Sequence, residues 1–453
     1  MADTHFAILD EQKLNSFHWR TILVTGLGVF CDGYDISSIS LVLTPALLSY
    51  HVAAHDIPLT KGWLTAAALV GSMLGAVVFG LLAQKGRKRF YGFDAMILGV
   101  AAAAQAFMPT VWALIACRFI LGIGVGADYV LSPTIMAEHA NRADRGKAIG
   151  LGFGTMWPIG ALTAALFKLL LDTYHVPEDL VWKLVLAGGA VPALGVMYFR
   201  RAMPESARYL ARVAADQVAA QAAVAQVSGQ DSAPPPAVDT RPIADLLRQH
   251  AGSILAGAVL WMIYDLVVYA AILFGPDIIA QNLKIPASIY QIETELVFVI
   301  PPSVLMSWFL IDRIGRKPMQ VWGFVAGAAI LAVFAWMRAQ PGIPTLFAYL
   351  VYGLFNVAQT GPGLVSGAGV YGVELAPTRI RSIAQSVTVI GGRLGAAISG
   401  FVFPLLNAQL GFVWTMAGLA SLSLLGGILS QLLVPETSAR SLEEINLETV
   451  PAE

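Results

Sequence analysis

Uninterrupted apolar runs of roughly 18 to 28 residues recur from one end of this 453-residue chain to the other. Each is long enough to cross a hydrocarbon core of about 30 Å as a helix. Charged residues make up only 13% of the chain, about half the share usual in soluble proteins. A membrane β-barrel would instead alternate apolar and polar residues in strands of about ten. The pattern predicts an all-α membrane protein with twelve transmembrane helices, over 20–48, 62–83, 91–108, 111–138, 146–171, 181–200, 252–280, 290–311, 318–338, 344–374, 380–407 and 411–434.

Between the sixth and seventh runs, residues 203–250 are polar and Ala/Gln-rich and include Pro234-Pro235-Pro236. That composition reads as a linker, helical in part over 206–226. The expected organisation is a six-helix bundle over 1–201, a cytoplasmic linker over 202–250, and a second six-helix bundle with a short cytoplasmic tail over 251–453. Basic residues set the orientation. Lys85, Arg87, Lys88 and Arg89, then Arg142, Arg145 and Lys147, then Arg313, Arg316 and Lys317, then Arg379 and Arg381 all fall in loops on one side. The opposite loops hold scattered cations such as Lys61 and Lys284. The positive-inside rule makes the basic side cytoplasmic, with both termini and the linker on it. The N-terminal region lacks a cleavable signal pattern. The two cysteines, Cys31 and Cys117, fall inside predicted spans and read as packing residues rather than a disulfide.

Acids inside the apolar runs carry the functional signal. A charge at mid-bilayer costs roughly 2.5–3.5 kcal/mol on insertion scales, so such residues are expected on an ion or solute pathway. Asp35 and Asp265 lie in such runs, 230 residues apart. Other features repeat at nearly the same period: Gly86-Arg87-Lys88 with Gly315-Arg316-Lys317, Glu138 and Arg145 with Glu374 and Arg381, and Pro204-Glu205-Ser206 with Pro435-Glu436-Thr437. The chain therefore reads as two pseudo-symmetric six-helix bundles facing each other across a central cavity, where transporters built of repeats bind substrate.

At these residues the chain resembles the major facilitator superfamily over essentially its whole length. Asp312-Arg313-Ile314-Gly315-Arg316-Lys317 is that superfamily's loop motif. The first copy, Gln84-Lys85-Gly86-Arg87-Lys88, lacks the acid and is one residue short, which leaves Asp94 as a candidate partner for Arg87. Arg118, Gly122, Gly124 and Gly126 match the helix-four pattern of an arginine followed by small residues. Finer features are similar to the phosphate:proton symporter branch: Asp32-Gly33-Tyr34-Asp35, Asp128-Tyr129 with Leu131-Ser132, and Trp261, Asp265 and Tyr269 at four-residue spacing on one helix face. The resemblance implies substrate contacts from Tyr129, Trp157, Trp261, Asp265, Tyr269 and Arg393. It also implies proton coupling through Asp32, Asp35 and Asp128. The chain departs from the branch in three places. Trp157 replaces a glutamine, Arg393 stands where the branch has a lysine, and the asparagine of helix ten has no clear counterpart beside Asn356, Gln359 and Gly361-Pro362-Gly363.

Helix rise places Asp32, Asp265 and Arg393 roughly 18–20 Å from the basic side, near the midplane. An arginine there suits an oxyanion, bidentate on phosphate or carboxylate, or pairs with one of the aspartates. Burial favours a neutral carboxyl, so Asp32, Asp35 and Asp128 suit a proton relay. An acid in an anion pocket is compatible with the anion only when protonated, which would tie proton loading to substrate loading at Asp265. Arg118 reads as structural. Arg87, Asp312 and Arg316 read as a loop charge network. Glu138 with Arg145, and Glu374 with Arg381, read as gate or brace pairs on the cytoplasmic side. No metal-ligand spacing and no nucleotide-cradling loop occurs, so a gradient must supply the energy. No enzyme activity, cofactor, metal or nucleic-acid partner is expected.

The leading expectation is a proton-coupled symporter of a small anion, inorganic phosphate by resemblance, acting as a monomer in the cell membrane. Alternatives remain open: an aromatic or aliphatic carboxylate, which Trp157 favours; a sugar, which the scarcity of amides (Gln105, Asn356, Gln359, Gln385, Asn407) disfavours; and, from another class, a nutrient sensor without net transport. A channel would need a continuous polar stripe, whereas the polar residues cluster at one depth.

Overall fold

The computed structural model describes residues 6–230, 238–275, 286–340, 342–361 and 363–448. The predicted triple-proline run, Lys284, Pro362 and the end of the seventh predicted span lie outside the described residues. Among the described residues, twelve helices cross the molecule. They are α1 (Ser16–Ser49), α2 (Ile57–Leu82), α3 (Phe93–Gln105), α4 (Val111–His139), α5 (Arg145–Thr173), α6 (Glu178–Arg201), α7 (Ile243–Gly275), α8 (Ala287–Ile314), α9 (Arg316–Ala339), α10 (Thr345–Thr360), α11 (Arg381–Leu410) and α12 (Phe412–Leu433). Ten of them are each long and apolar enough to cross a membrane; α3 and α10 are shorter, at 13 and 16 residues. Large apolar side chains such as Leu81, Val100, Trp322 and Leu432 stand exposed on the outside, as they must where lipid is the solvent. The chain is a multi-pass membrane protein.

Two expected elements differ. The tenth span does not run unbroken over 344–374. It stops at Thr360 and resumes as short helices at Leu364–Gly367 and Val370–Glu374, with Gly369 left-handed at φ 63°. Glycine adopts that conformation without penalty and supplies no side chain to hold the helix together. The helical part of the linker is split into Ala207–Arg212 and Gln217–Ser228, and α7 begins at Ile243, ahead of the expected 252.

Small residues set the tightest helix contacts. Cβ atoms on Gly122 and Gly126 of α4 would meet the carbonyls of Ala68 and Ser72, and Cβ atoms on Gly71 and Gly75 of α2 would meet those of Phe119 and Ile123. The glycines interlock reciprocally, so the α2 and α4 backbones touch. The same device operates where it matters for chemistry. Gly33 of α1 admits the backbone of Trp157, and Gly160 of α5 admits that of Phe30. Gly391 and Gly395 of α11 lie against Ala258 and Met262 of α7. Asp32 is thereby pressed toward Trp157, and Arg393 toward Trp261 and Asp265.

Candidate functional site

Between the two halves lies a cavity of about 90 Å³. One water needs about 10–15 Å³ by the same measure, so the cavity has room for a small molecule rather than a single water. All six residues expected at the substrate line it: Tyr129 from α4, Trp157 from α5, Trp261, Asp265 and Tyr269 from α7, and Arg393 from α11. Phe153, Pro158, Ile272, Val299 and Leu364 complete an apolar wall. No Asn or Gln appears among the lining residues. Gln385 is committed to the Tyr129 carbonyl and Gln105 to Arg118.

The centre of the site is Asp32, one of whose oxygens accepts three bonds. Tyr129 Oη donates to Oδ2 at 2.8 Å, Arg393 Nη2 at 2.9 Å, and Trp157 Nε1 at 3.2 Å. Arg393 also donates from Nη1 to Tyr269 Oη at 2.9 Å, and its guanidinium lies 4.1 Å over the Tyr129 ring. Its Nε is buried with no partner. Asp265 is within electrostatic reach of Arg393 and Asp32, with Trp261 as its hydrogen-bond neighbour. Asp32, Asp265 and Arg393 are each no more than 5% exposed. A buried cation of one half is thus tied to a buried acid of the other, with one guanidinium N–H unpartnered among the described residues.

The three acids expected to relay protons do not form one cluster. Asp35 is held by Arg118, Nη1 and Nη2 donating to its two oxygens at 3.2 and 2.9 Å, with Gln105 on the same guanidinium. Asp128 shares Arg200 of α6 with Asp94, and Ser132 donates to it at 2.6 Å. Only Asp32 reaches the cavity residues. Asp32 and Asp35 are one turn apart on adjoining faces of α1, yet Asp32 meets Arg393 of α11 and Asp35 meets Arg118 of α4. Sequence reasoning missed Arg200, which sits at the end of its span and reads there as an interfacial cation. The signal was available, since Asp128 was a buried acid with no assigned cation in the bundle whose last span ends at Arg200 and Arg201.

At the basic end, the expected pairings are crossed between the halves. Glu138 takes Arg87 at 3.0 Å and Arg381 at 2.9 Å. Glu374 takes Arg145 at 2.7 Å and Arg316 at 3.4 Å. Glu138 therefore does not pair with Arg145, Glu374 does not pair with Arg381, and Asp94 does not serve Arg87. Each arginine that follows a glutamate by seven residues opens the next helix on the far side of a turn, which aims it across the pseudo-symmetry axis. Asp312 pairs with Arg316 at 2.7 Å and accepts from the backbone N–H groups of Gly146 and Lys147 at 3.0 and 2.7 Å, a carboxylate on a helix N-terminus. Glu205 accepts from Lys88 N at 3.0 Å, and Glu436 from Arg316 N and Lys317 N at 3.0 and 3.1 Å. Each repeat's Pro-Glu motif thus caps that repeat's own loop motif.

The terminal segments fasten this end. Arg208 donates to Asp10 at 2.8 Å, to Glu443 at 2.8 Å and to the Glu138 carbonyl at 2.6 Å. Burial alone would raise the Glu443 carboxyl, but Arg208 and Arg212 outweigh it and hold it at about 2. Glu448 meets Arg212 at 3.3 Å and accepts from Thr378. At the opposite end, the rings of Trp63 and Phe401 meet edge-on with centroids 5.5 Å apart.

The chain matches the family described as "Sugar (and other) transporter" over residues 21–448. It is 31% identical to a probable inorganic phosphate transporter 1-6 of Arabidopsis thaliana, covering 98% of this chain and 96% of that one. It is 30% identical to the low affinity inorganic phosphate transporter 3 of Petunia hybrida, covering 97% and 94%. Among solved structures, a proton:xylose symporter of the major facilitator superfamily bound to 6-bromo-6-deoxy-D-glucose superposes with a TM-score of 0.79 at 20% identity, covering 95% of this chain and 98% of that one. A human organic anion transporter gives 0.65 at 16% identity, covering 91% and 99%.

Proposed function

The chain belongs to the sugar (and other) transporter family of the major facilitator superfamily, and on that premise we propose that it is a proton-coupled symporter importing inorganic phosphate by alternating access. The observation that carries this is Arg393: buried at the meeting of the halves, bonded to Asp32 across them, and lining a cavity large enough for a small oxyanion. The names of the two curated relatives given above, both inorganic phosphate transporters at about 30% identity, support the same substrate.

Coupling follows from competition for one cation. With Asp32 ionised, its carboxylate holds the Arg393 fork and leaves no place for a second anion. A proton on Asp32 cancels that hold, and the guanidinium turns to the incoming oxyanion, with Tyr129, Tyr269 and Trp157 as further donors. Asp265, beside the same guanidinium, tolerates an anion when it too is protonated. Return of the ionised Asp32 to Arg393 expels the substrate. The crossed Glu–Arg pairs close the basic end while the site loads, and breaking them opens it. By the positive-inside rule that end is cytoplasmic, with both termini and the linker over 202–250 on it, in the cell membrane of the organism. The two bundles are 1–201 and 251–453, and the monomer is the functional unit.

A second reading rests on Trp157, Phe153, Pro158 and Ile272, an apolar wall suited to the body of an organic carboxylate whose head meets Arg393. A sugar finds no lining amide to bind its hydroxyls. The test is uptake into proteoliposomes under an imposed inward proton gradient, with labelled phosphate against a carboxylate panel. Concentrative phosphate uptake that is lost in Arg393→Ala is expected. Carboxylate uptake without phosphate competition would replace the first reading by the second.

A further inference from the structure

Of the buried acids among the described residues, Glu295 alone has no arginine beside it. Asp32, Asp35, Asp94, Asp128, Glu138 and Glu374 are each ion-paired, and Asp265 lies within reach of Arg393. Glu295 is 2% exposed on α8, eight residues in from Ala287 and thus roughly 12 Å along the helix from the end opposite the basic loops. Its Oε1 accepts from Gln291 at 2.7 Å, and its Oε2 is buried with no partner. Facing it are Tyr290 on its own helix and Tyr352 on α10, the latter donating to the Ala271 carbonyl at 2.8 Å. Among the described residues, no charged group of α5, α8 or α10 acts on it. The turn Glu295–Val299 is π-helical and runs into Pro301 and Pro302, a type of irregularity frequent at functional sites. Val299, one turn further in, lines the central cavity.

An ionised carboxyl with no cation in such a setting is far costlier than one holding its proton. We propose that Glu295 is a second proton-carrying site, on the side of the cavity away from the basic loops, loading a proton separately from Asp32. In the closed conformation the carboxyl keeps its proton. It exchanges that proton only when α8 parts from its neighbours and water reaches Oε2, so the proton moves in step with alternating access. This rests on the proton-coupled reading above, and it adds a proton to the cycle from the half that carries no acid–arginine pair of its own at the cavity.

The experiment compares wild type, Glu295→Gln and Glu295→Asp as full-length protein in proteoliposomes. Infrared difference spectra across a pH titration, with no substrate present, should show a protonated-carboxyl C=O band that is absent in Glu295→Gln and shifted in Glu295→Asp. Each coupled proton multiplies the attainable phosphate accumulation about tenfold per pH unit of gradient. Glu295→Gln should therefore accumulate about tenfold less at a gradient of one unit, while its phosphate–phosphate exchange continues and reports an intact fold. Spectra identical in wild type and Glu295→Gln overturn the proposal, as does an unchanged accumulation ratio. A band lost in Glu295→Gln in a protein that moves no phosphate supports the proton site and overturns the phosphate reading instead.

Discussion

The two halves of the molecule agree at their basic ends and disagree at mid-depth. At the ends, Gly86 and Gly315 share a left-handed backbone, at φ 123° and 100°, and Glu205 and Glu436 cap equivalent helices. Glu138 and Glu374 each bind one arginine from their own half and one from the other. Inside the bundles the correspondence is gone. The N-terminal half binds its acids with its own cations, Asp35 to Arg118 and Asp94 and Asp128 to Arg200. The C-terminal half lends Arg393 to the acid of its partner and leaves Asp265 and Glu295 without an ion pair of their own. One loop position also differs. Asp312 binds the start of α5, whereas the other copy offers Gln84, which donates to Ser382 at the start of α11 at 2.7 Å. A gate that must close both bundles equally favours symmetry. A site that must exchange a proton for an anion needs the two sides to differ.

The largest effect is expected from separating the two kinds of arginine. Arg393→Ala should lower uptake at least about 100-fold while the protein stays folded. Arg118→Ala should instead compromise folding, since stripping one partner from a buried pair costs about 3–5 kcal/mol, whereas Asp32 beside the cavity sheds that cost by taking a proton. Thermal unfolding and uptake measured on the same samples check this, and equal loss of fold in both variants would erase the distinction. Next come the gate glutamates. Glu138→Gln and Glu374→Gln should open the basic end to a similar degree, each breaking two pairs, as read by thiol labelling of a cysteine placed at Gly154. A large inequality between them would break the symmetry of the ends. Asp35→Asn and Asp265→Asn should diverge: the first should lower the melting temperature, and the second should leave it and remove proton-driven uptake. Full proton-coupled uptake by Asp265→Asn sinks that assignment.

The smallest effect concerns the tail. Glu443 is held at about 2 against an ordinary 4.5, a depressed acid whose stabilisation is full above about 4.5 and fades as pH falls toward 2. The C-terminal segment should become protease-sensitive over that window, and Glu443→Gln should show part of the same sensitivity at neutral pH.

Much of this was legible in the sequence, because its physical causes are periodic. Apolar run length gave the helices, and the repeat gave two bundles. The stripe of Trp261, Asp265 and Tyr269 gave one wall of the cavity. Pairing was not legible. Asp32 and Asp35 look equivalent in the sequence, and only the arrangement of α4 and α11 around α1 sends one to Arg393 and the other to Arg118. Crossed gates have the same residue spacing as uncrossed ones, so Arg145 and Arg381 could be named but not assigned. Glu295 carries no motif, and its significance comes from what does not surround it.

The central claim is that Asp32 and the substrate compete for Arg393. Proteoliposomes containing Asp32→Asn measure this directly, by comparing labelled-phosphate exchange at equal pH with accumulation against an inward proton gradient. The account predicts that exchange persists, because the arginine is permanently released, while gradient-driven accumulation falls by about tenfold per pH unit of gradient, the share that one coupled proton supplies. Accumulation equal to wild type would contradict it.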